Sequence, residues 1–182
     1  EIQITGSRIA RTTMETPTPV TTVTAEDLSN MSPGTLVDAL VQMPQYYNNQ
    51  VPNQENGGQN SGGSNINLRG AGAQRTLVLI DGRRMVPTNR FGSADVNSVP
   101  EDLLKSVETV TGGASASYGT DAVAGVVNFL LDTKFEGLKT HAQTSINELG
   151  DGKAWEVGAA FGKQLSNGIH ILGSASMSDL SG

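Results

Sequence analysis

The sequence is 182 residues long, with 12 basic against 18 acidic side chains and a net charge of −6, a length that suits one ordinary domain or one domain plus a piece of another. The acidic balance, with no Lys/Arg run longer than Arg83-Arg84, excludes a nucleic-acid-binding surface; the absence of Cys excludes disulfide frameworks, thiol nucleophiles and Cys-based zinc sites. Aromatics at 4% and 22 glycines make a turn-rich composition that favours a β-rich or mixed fold over a helical bundle.

The chain opens EIQITGS, in which Ile2 and Ile4 alternate with Glu1, Gln3 and Thr5 as in a half-buried strand. A polar Thr/Pro-rich run to Pro19 follows, so this strand reads as one held on a tether. Glu1 does not begin a basic-then-apolar leader, so an exported protein numbered this way starts after a removed signal peptide. Residues 19–23 form a short β-rich run, and Thr24 with Asp27 has the spacing of a capping box opening a brief helical turn. A clearer helix is predicted next, with Ser32 as cap, Pro33 at the first helical position, Leu36, Ala39, Leu40 and Met43 on one face, and Pro44 as its stop.

Residues 46–64 are mostly Asn, Gln, Gly and Ser, too polar to bury themselves, which predicts an exposed, mobile loop whose amides offer donors and acceptors together. In NINLRG, Ile66 and Leu68 alternate with Asn65, Asn67 and Arg69; TLVLIDG is a continuous apolar run ended by Asp81-Gly82. Both predict strands of one sheet, with a tight hairpin returning residues 83–86 beside 77–80 before Pro87. A second polar loop spans 87–95, a short helix is predicted over 100–105, and the strand VETV follows at once. In TGGASASYGTDAVAGVVNFLL the Gly112-Gly113 pair lacks the Lys-Ser/Thr of a phosphate loop, so the segment predicts a tight turn and short helix between two buried strands.

The longest nearly uninterrupted apolar run, 122–131, includes Gly125 and Asn128 and falls far short of the roughly 20 residues of a membrane-spanning helix. Any membrane role therefore rests on strands. Residues 138–147 make a weak strand, and 155–165 a clear one, with Trp155, Val157, Ala159 and Phe161 opposite Glu156, Gly158, Ala160 and Gly162. Asn167-Gly168 turns the chain, and a third strand sets Ile169, Ile171, Ala175 and Met177 against His170, Ser174, Ser176 and Ser178.

The ordered set INLRG, TLVLIDGRRM and VETVTGGASASYGTDAVAGVVNF, with its Arg69-Gly70, Asp81-Gly82 and Tyr118-Gly119 pairs, resembles the plug of TonB-dependent outer-membrane receptors over nearly all of residues 1–134. The resemblance implies an α+β plug domain, a small mixed sheet with short helices, followed by the first antiparallel strands of a transmembrane β-barrel. It divides the chain into a TonB box and tether (1–17), a plug (18–134) and three strands of an incomplete barrel (135–182). Plugged barrels have roughly 22 strands, so three strands are an opening portion only. The implied setting is the outer membrane of a Gram-negative bacterium, with the N-terminus in the periplasm and lipid around the strands.

The implied function is active uptake of a scarce nutrient: a siderophore, a corrinoid, a carbohydrate or another organic ligand. The first residues then acquire a partner, because Glu1, Ile2, Gln3, Ile4 and Thr5 have the form of the TonB box, which pairs by strand addition with the TonB C-terminal domain. Arg69, Gly70, Asp81, Gly82, Arg83, Tyr118 and Gly119 are implied as plug motif positions, with Arg69, Asp81 and Arg83 forming ion pairs to the barrel wall. Two apex loops under the extracellular cavity map to 46–64 and 85–95, giving Tyr46, Tyr47, Asn89, Arg90 and Phe91 as substrate-contact candidates. EIQITGSRI and TGGASASYGTDAVAG most resemble receptor groups that scavenge diverse organic nutrients, a tilt away from iron.

No catalytic residue, cofactor or metal site is expected, since His141 and His170 both lie in barrel-type strands away from a paired base. Two rival classes are a secreted or periplasmic binding or adhesion module that borrows the plug fold, and a soluble enzyme using Asp81 or Asp95. Neither accounts for the alternation from Trp155 to Phe161.

Overall fold

A computed structural model of the chain describes residues 19–31, 35–47, 63–112, 114–146, 153–166 and 168–181. The expected box at 1–5 and most of its tether lie outside the described residues, as do the predicted cap Ser32 with Pro33, residues 48–62 of the polar loop, and Asn167.

The described residues form two sheets. The first has five strands in the order β1-β4-β5-β2-β3: β1 Val20–Thr24, β2 Thr76–Ile80, β3 Arg83–Arg84, β4 Leu104–Thr111 and β5 Gly125–Leu131. Only β2 and β5 run parallel, from Thr76 against Gly125 to Ile80 against Phe129; the other pairings are antiparallel. Both faces of the central strands are covered, which is why TLVLI and GVVNF read as continuous apolar runs rather than alternating ones. Val78, Val107, Val127 and Phe129 face helices α1 (Ala25–Met31) and α2 (Leu36–Val41) with Leu28, Val37 and Leu40, while Leu77, Leu79, Val110 and Val126 face Ala114, Ala122 and the short helix α3 (Ser115–Tyr118).

α1 starts where its box predicts: the Asp27 N–H donates to Thr24 Oγ1 and the Asp27 carboxylate accepts from the Thr24 hydroxyl and N–H. For α2 the expected cap is corrected. Its N-cap is Thr35, because Thr35 and Asp38 satisfy each other's first-turn groups reciprocally and Leu36 N–H finds Glu101 Oε1 at 3.2 Å. The helix closes at Gln42, before Pro44.

Residues 65–69 do not form the expected ladder strand. Residues 65–68 make only isolated bridges, among them Tyr46 to Leu68, and are packed on both sides: Ile66 and Leu68 are buried, and so are Asn65 and Asn67. The expected helix over 100–105 shrinks to a single 3-10 turn, Glu101–Leu103, because Leu104 already enters β4 beside β5.

The second sheet is an antiparallel meander of β6 (Gly137–Ile146), β7 (Lys153–Gln164) and β8 (His170–Ser181), each longer than any strand of the first. Its register puts Leu138 beside Phe161 and Val157 beside Met177, so that Leu138, Trp155, Val157, Phe161, Ile171 and Met177 share one exposed apolar face. The opposite face, with Gly158, Ala160 and Gly162, turns toward the first sheet's domain; Ala160 is buried there.

Candidate functional site

The loop 87–95 is held in one shape by its own polar groups. Asn89 Oδ1 accepts from Phe91 N–H (3.0 Å) and Ser93 N–H (3.2 Å), Asn89 Nδ2 meets Ser93 Oγ, and Thr88 N–H donates to the Ser93 carbonyl at 3.0 Å. This Asx-type turn pushes the next two side chains outward. The Arg90 guanidinium sits 4.9 Å from the Phe91 ring centroid, a cation–π contact in which half of Phe91 still faces solvent.

The five substrate-contact candidates therefore separate. Arg90, Phe91 and Tyr47 are exposed, and the Tyr47 ring lies over Gly70, whose backbone has φ +69°. Asn89 is half-buried and its amide is spent on the loop. Tyr46 is a correction: it is 3% exposed, its hydroxyl hydrogen-bonds Thr109 Oγ1 of β4, and burial pushes its pKa up against that bond. An apolar ring with one polar tip has found its partner inside the core, where it cannot reach a ligand.

The motif pairs resolve as turns. Asp81 (φ +47°) and Gly82 (φ +74°) build the hairpin between β2 and β3, tied to β5 by the Asp81 carboxylate accepting from Leu131 N–H at 2.9 Å and by Gly82 N–H donating to Asn128 Oδ1 at 2.9 Å. Arg84, one place beyond the expected Arg83, pairs with Asp121 and donates to the Tyr118 carbonyl at 2.7 Å, joining this hairpin to the Tyr118-Gly119 turn. Arg69 and Gly70 are two successive positive-φ residues, with Arg69 N–H on the Gln45 carbonyl. Among the described residues Arg69 and Arg83 are exposed and the Asp81 carboxylate turns to β5, and the contacts of the first sheet's domain with β6–β8 are made by other residues.

Those other residues are Asp102, His141 and Glu156. Asp102, in the 101–103 turn, is buried, and its Oδ1 lies 2.6 Å from Nδ1 of His141 on β6; His141 Nε2 lies 3.4 Å from Glu156 Oε1 on β7. Gly158 supplies the room, since a Cβ there would overlap His141 Cε1 and Asp102 Oδ2; at Gly162 it would overlap the Phe135 carbonyl, which also faces His170 Nε2 at 3.0 Å. Beside them, a cleft of about 360 Å³ runs between α1, α2 and β6–β7, lined by Glu26, Glu101, Lys139 and Gln143. Burial raises the Glu101 carboxyl to about 7, opposed by its Leu36 N–H bond. Among the described residues no group of three His, Asp or Glu has a metal-holding arrangement.

A family model, the TonB-dependent receptor plug domain, matches residues 12–126. A ferric enterobactin receptor of Pseudomonas aeruginosa is 32% identical over 136 residues, covering 70% of this chain and 18% of that protein. A doubly substituted ferric enterobactin receptor from the same species, solved as a crystal structure, aligns with TM-score 0.68 at 25% identity over 93% of this chain and 26% of its own. The siderophore receptor PirA from Pseudomonas aeruginosa aligns with TM-score 0.66 at 22% identity over 92% of this chain and 29% of its own, a likeness of fold. The chain thus spans about a fifth of the length of the curated relative.

Proposed function

The chain belongs to the TonB-dependent receptor plug family, and from that premise we propose that it is the front of an outer-membrane receptor that takes up a ferric siderophore and is opened by TonB. The observation that carries the reading is the junction of two unlike sheets: a plug-type domain, and a meander whose outward face is an exposed apolar stripe from Leu138 to Met177. A β-barrel strand facing lipid needs such a stripe, and a water-facing sheet does not tolerate one of this size.

The siderophore assignment rests on the relatives' own ligands and revises the tilt away from iron drawn from EIQITGSRI. Arg90 with Phe91, presented by a loop that is already shaped, and Tyr47 are the plug's contribution to the ligand cavity. Gln3, Ile4 and Thr5, with Glu1 and Ile2, form the strand that TonB captures, main-chain hydrogen bonds supplying affinity and the isoleucines side-chain contacts. The protein acts as a receptor and not as a catalyst.

The test is uptake by cells expressing the full-length gene product. Binding of ferric enterobactin is expected at the cell surface in wild type and in Ile4→Pro, whereas energised uptake is expected only in wild type, because proline removes a ladder donor. Uptake that survives Ile4→Pro sinks the strand-addition assignment; binding of a corrinoid or carbohydrate in place of the siderophore sinks the ligand.

A further inference from the structure

The exposed side chains offered to a ligand come from two parts of the plug: Tyr47, after α2, and Arg90 with Phe91 in the loop 87–95. Both parts are tied to one strap, residues 64–69. At its far end the Tyr47 N–H donates to the Asn67 carbonyl at 3.1 Å and the Arg69 N–H to the Gln45 carbonyl at 2.9 Å, so the backbone carrying Tyr47 follows the strap. At its near end the Ser64 N–H donates to Asp95 Oδ1 at 2.9 Å, and the Ser64 carbonyl accepts from Val96 N–H at 3.0 Å. Ser64 is buried, and among the described residues its hydroxyl has no hydrogen-bond partner. The polar hold on this end of the strap therefore runs through its backbone, and Asp95 supplies the one side chain in it.

Asp95 holds the loop as well as the strap. The same Oδ1 accepts from Asn97 N–H at 3.1 Å, and the Asp95 carbonyl accepts from Ser98 Oγ at 2.8 Å. These bonds shape the 3-10 turn Val96–Ser98 and fix the point where the loop 87–95 re-enters the core at the buried Val96 and Val99. A carboxylate that takes backbone N–H groups makes charge-assisted bonds, stronger than those between neutral groups. Here the two donors belong to different segments. Asn89 and Ser93 set the inside of the loop, but nothing in their bonds sets where that loop stands relative to Tyr47.

We propose that Asp95 is a positioning residue for ligand binding: its carboxylate clamps the loop 87–95 to the strap and so sets Arg90 and Phe91 against Tyr47 as one surface. The inference rests on the reading of the chain as part of a siderophore receptor. Asp95 acts through these side chains and not by touching the ligand, since a carboxylate facing an anionic ferric siderophore would repel it. Two contact groups held in register before the ligand arrives spare binding the cost of ordering them.

The experiment is a double-variant cycle on the full-length gene product purified from outer membranes in detergent, with ferric enterobactin as the probe and Kd read by fluorescence quenching. Wild type, Asp95→Ala, Asp95→Asn, Arg90→Ala and the Asp95→Ala/Arg90→Ala double variant are compared. Asp95→Ala is expected to raise Kd on the order of tenfold, as loss of a hydrogen bond to a charged group does. Asp95→Asn keeps an Oδ1 that accepts from both N–H groups and should stay within about twofold of wild type. Because Asp95 acts through Arg90 and Phe91, the double variant should fall well short of the roughly hundredfold that two independent tenfold losses give. Hydrogen exchange in Asp95→Ala should quicken in peptides covering 63–68 and 94–99 and stay at the wild-type rate in those covering β4 and β5, which a general loss of stability would also quicken. An unchanged Kd in Asp95→Ala, an Asp95→Asn as weak as Asp95→Ala, additive losses in the double variant, or faster exchange throughout β4 and β5 overturns the clamp and, where wild type binds, leaves the receptor reading standing. A wild type that does not bind ferric enterobactin overturns the siderophore reading and this role with it.

Discussion

Alanine at Gly125 is expected to unlock the plug sheet, and the size of the effect follows from two separable terms. Gly125 opens β5 with φ +144°, a backbone region costing an L side chain about 1–3 kcal/mol. Its Cβ would also overlap the Val110 carbonyl of β4 and lie 2.8 Å from Leu68 Cδ1, below the 3.0 Å that real Cβ contacts essentially never pass. Overpacking against backbone adds about 1–3 kcal/mol, because neither the β4–β5 ladder nor the buried Leu68 can yield. The sum, about 4 kcal/mol, is a large part of the 5–15 kcal/mol that holds a typical domain. Gly168 is the internal control: it also has positive φ, at +84°, but a Cβ there meets nothing within 4 Å. Gly168→Ala should cost only the backbone term. Hydrogen exchange of peptides covering β2, β4 and β5 in the full-length gene product should therefore accelerate about a thousandfold in Gly125→Ala, each 1.4 kcal/mol being tenfold, whereas Gly168→Ala, whose backbone cost falls on the β7–β8 turn of the other sheet, should hardly change them. Little change in Gly125→Ala would refute the close-approach argument, as would equal change in both.

Tyr46→Phe should destabilise the same peptides by about 1–3 kcal/mol, because Thr109 Oγ1 is left buried without the tyrosine hydroxyl, while ligand affinity measured by fluorescence quenching stays unchanged; a weakened affinity would return Tyr46 to the ligand cavity. Glu101→Gln keeps an acceptor for Leu36 N–H but cannot ionise. A carboxyl whose folded pKa is raised from 4.5 to about 7 contributes stability that is present below pH 4.5 and lost as pH rises through 7, so the variant should match wild type at pH 4.5 and exceed it by up to about 3 kcal/mol at pH 8.5 in protection of α2. A variant no more protected than wild type at pH 8.5 would contradict that burial cost. Arg90→Ala removes the one cation of loop 87–95 without touching the Asn89 bonds that shape it, and should raise the Kd for an anionic ferric siderophore about tenfold; an unchanged Kd would take Arg90 out of the binding surface.

Much of the architecture is legible because local chemistry and packing agree. Thr24 with Asp27 reads as a helix start and is one, Asp81-Gly82 reads as a hairpin and adopts its positive-φ pair, and the alternation through Trp155 and Phe161 reads as a strand with one apolar face. The cap of α2 is a local miss: the Thr35–Asp38 capping box spans three residues, and the distant Glu101 carboxylate at Leu36 N–H only adds to it. The other failures needed packing against residues distant in sequence. NINLRG alternates like a strand, yet its asparagines are buried too, so it runs as a packed strap without a ladder. Tyr46 opens a polar stretch that predicts exposure, whereas its partner Thr109 lies 63 residues on. The Asp102–His141 contact has no local signal: periodicity places His141 on the inward face and says nothing of Asp102, 39 residues earlier.

The central claim is that these residues are the opening part of a larger TonB-dependent receptor in the outer membrane, and the mass of the native gene product recovered from outer-membrane fractions tests it most directly. A product several times longer than 182 residues, found in that fraction, is the predicted result. A product ending near Gly182 and recovered from the periplasm or the medium would contradict the claim and favour a binding module built on the plug fold.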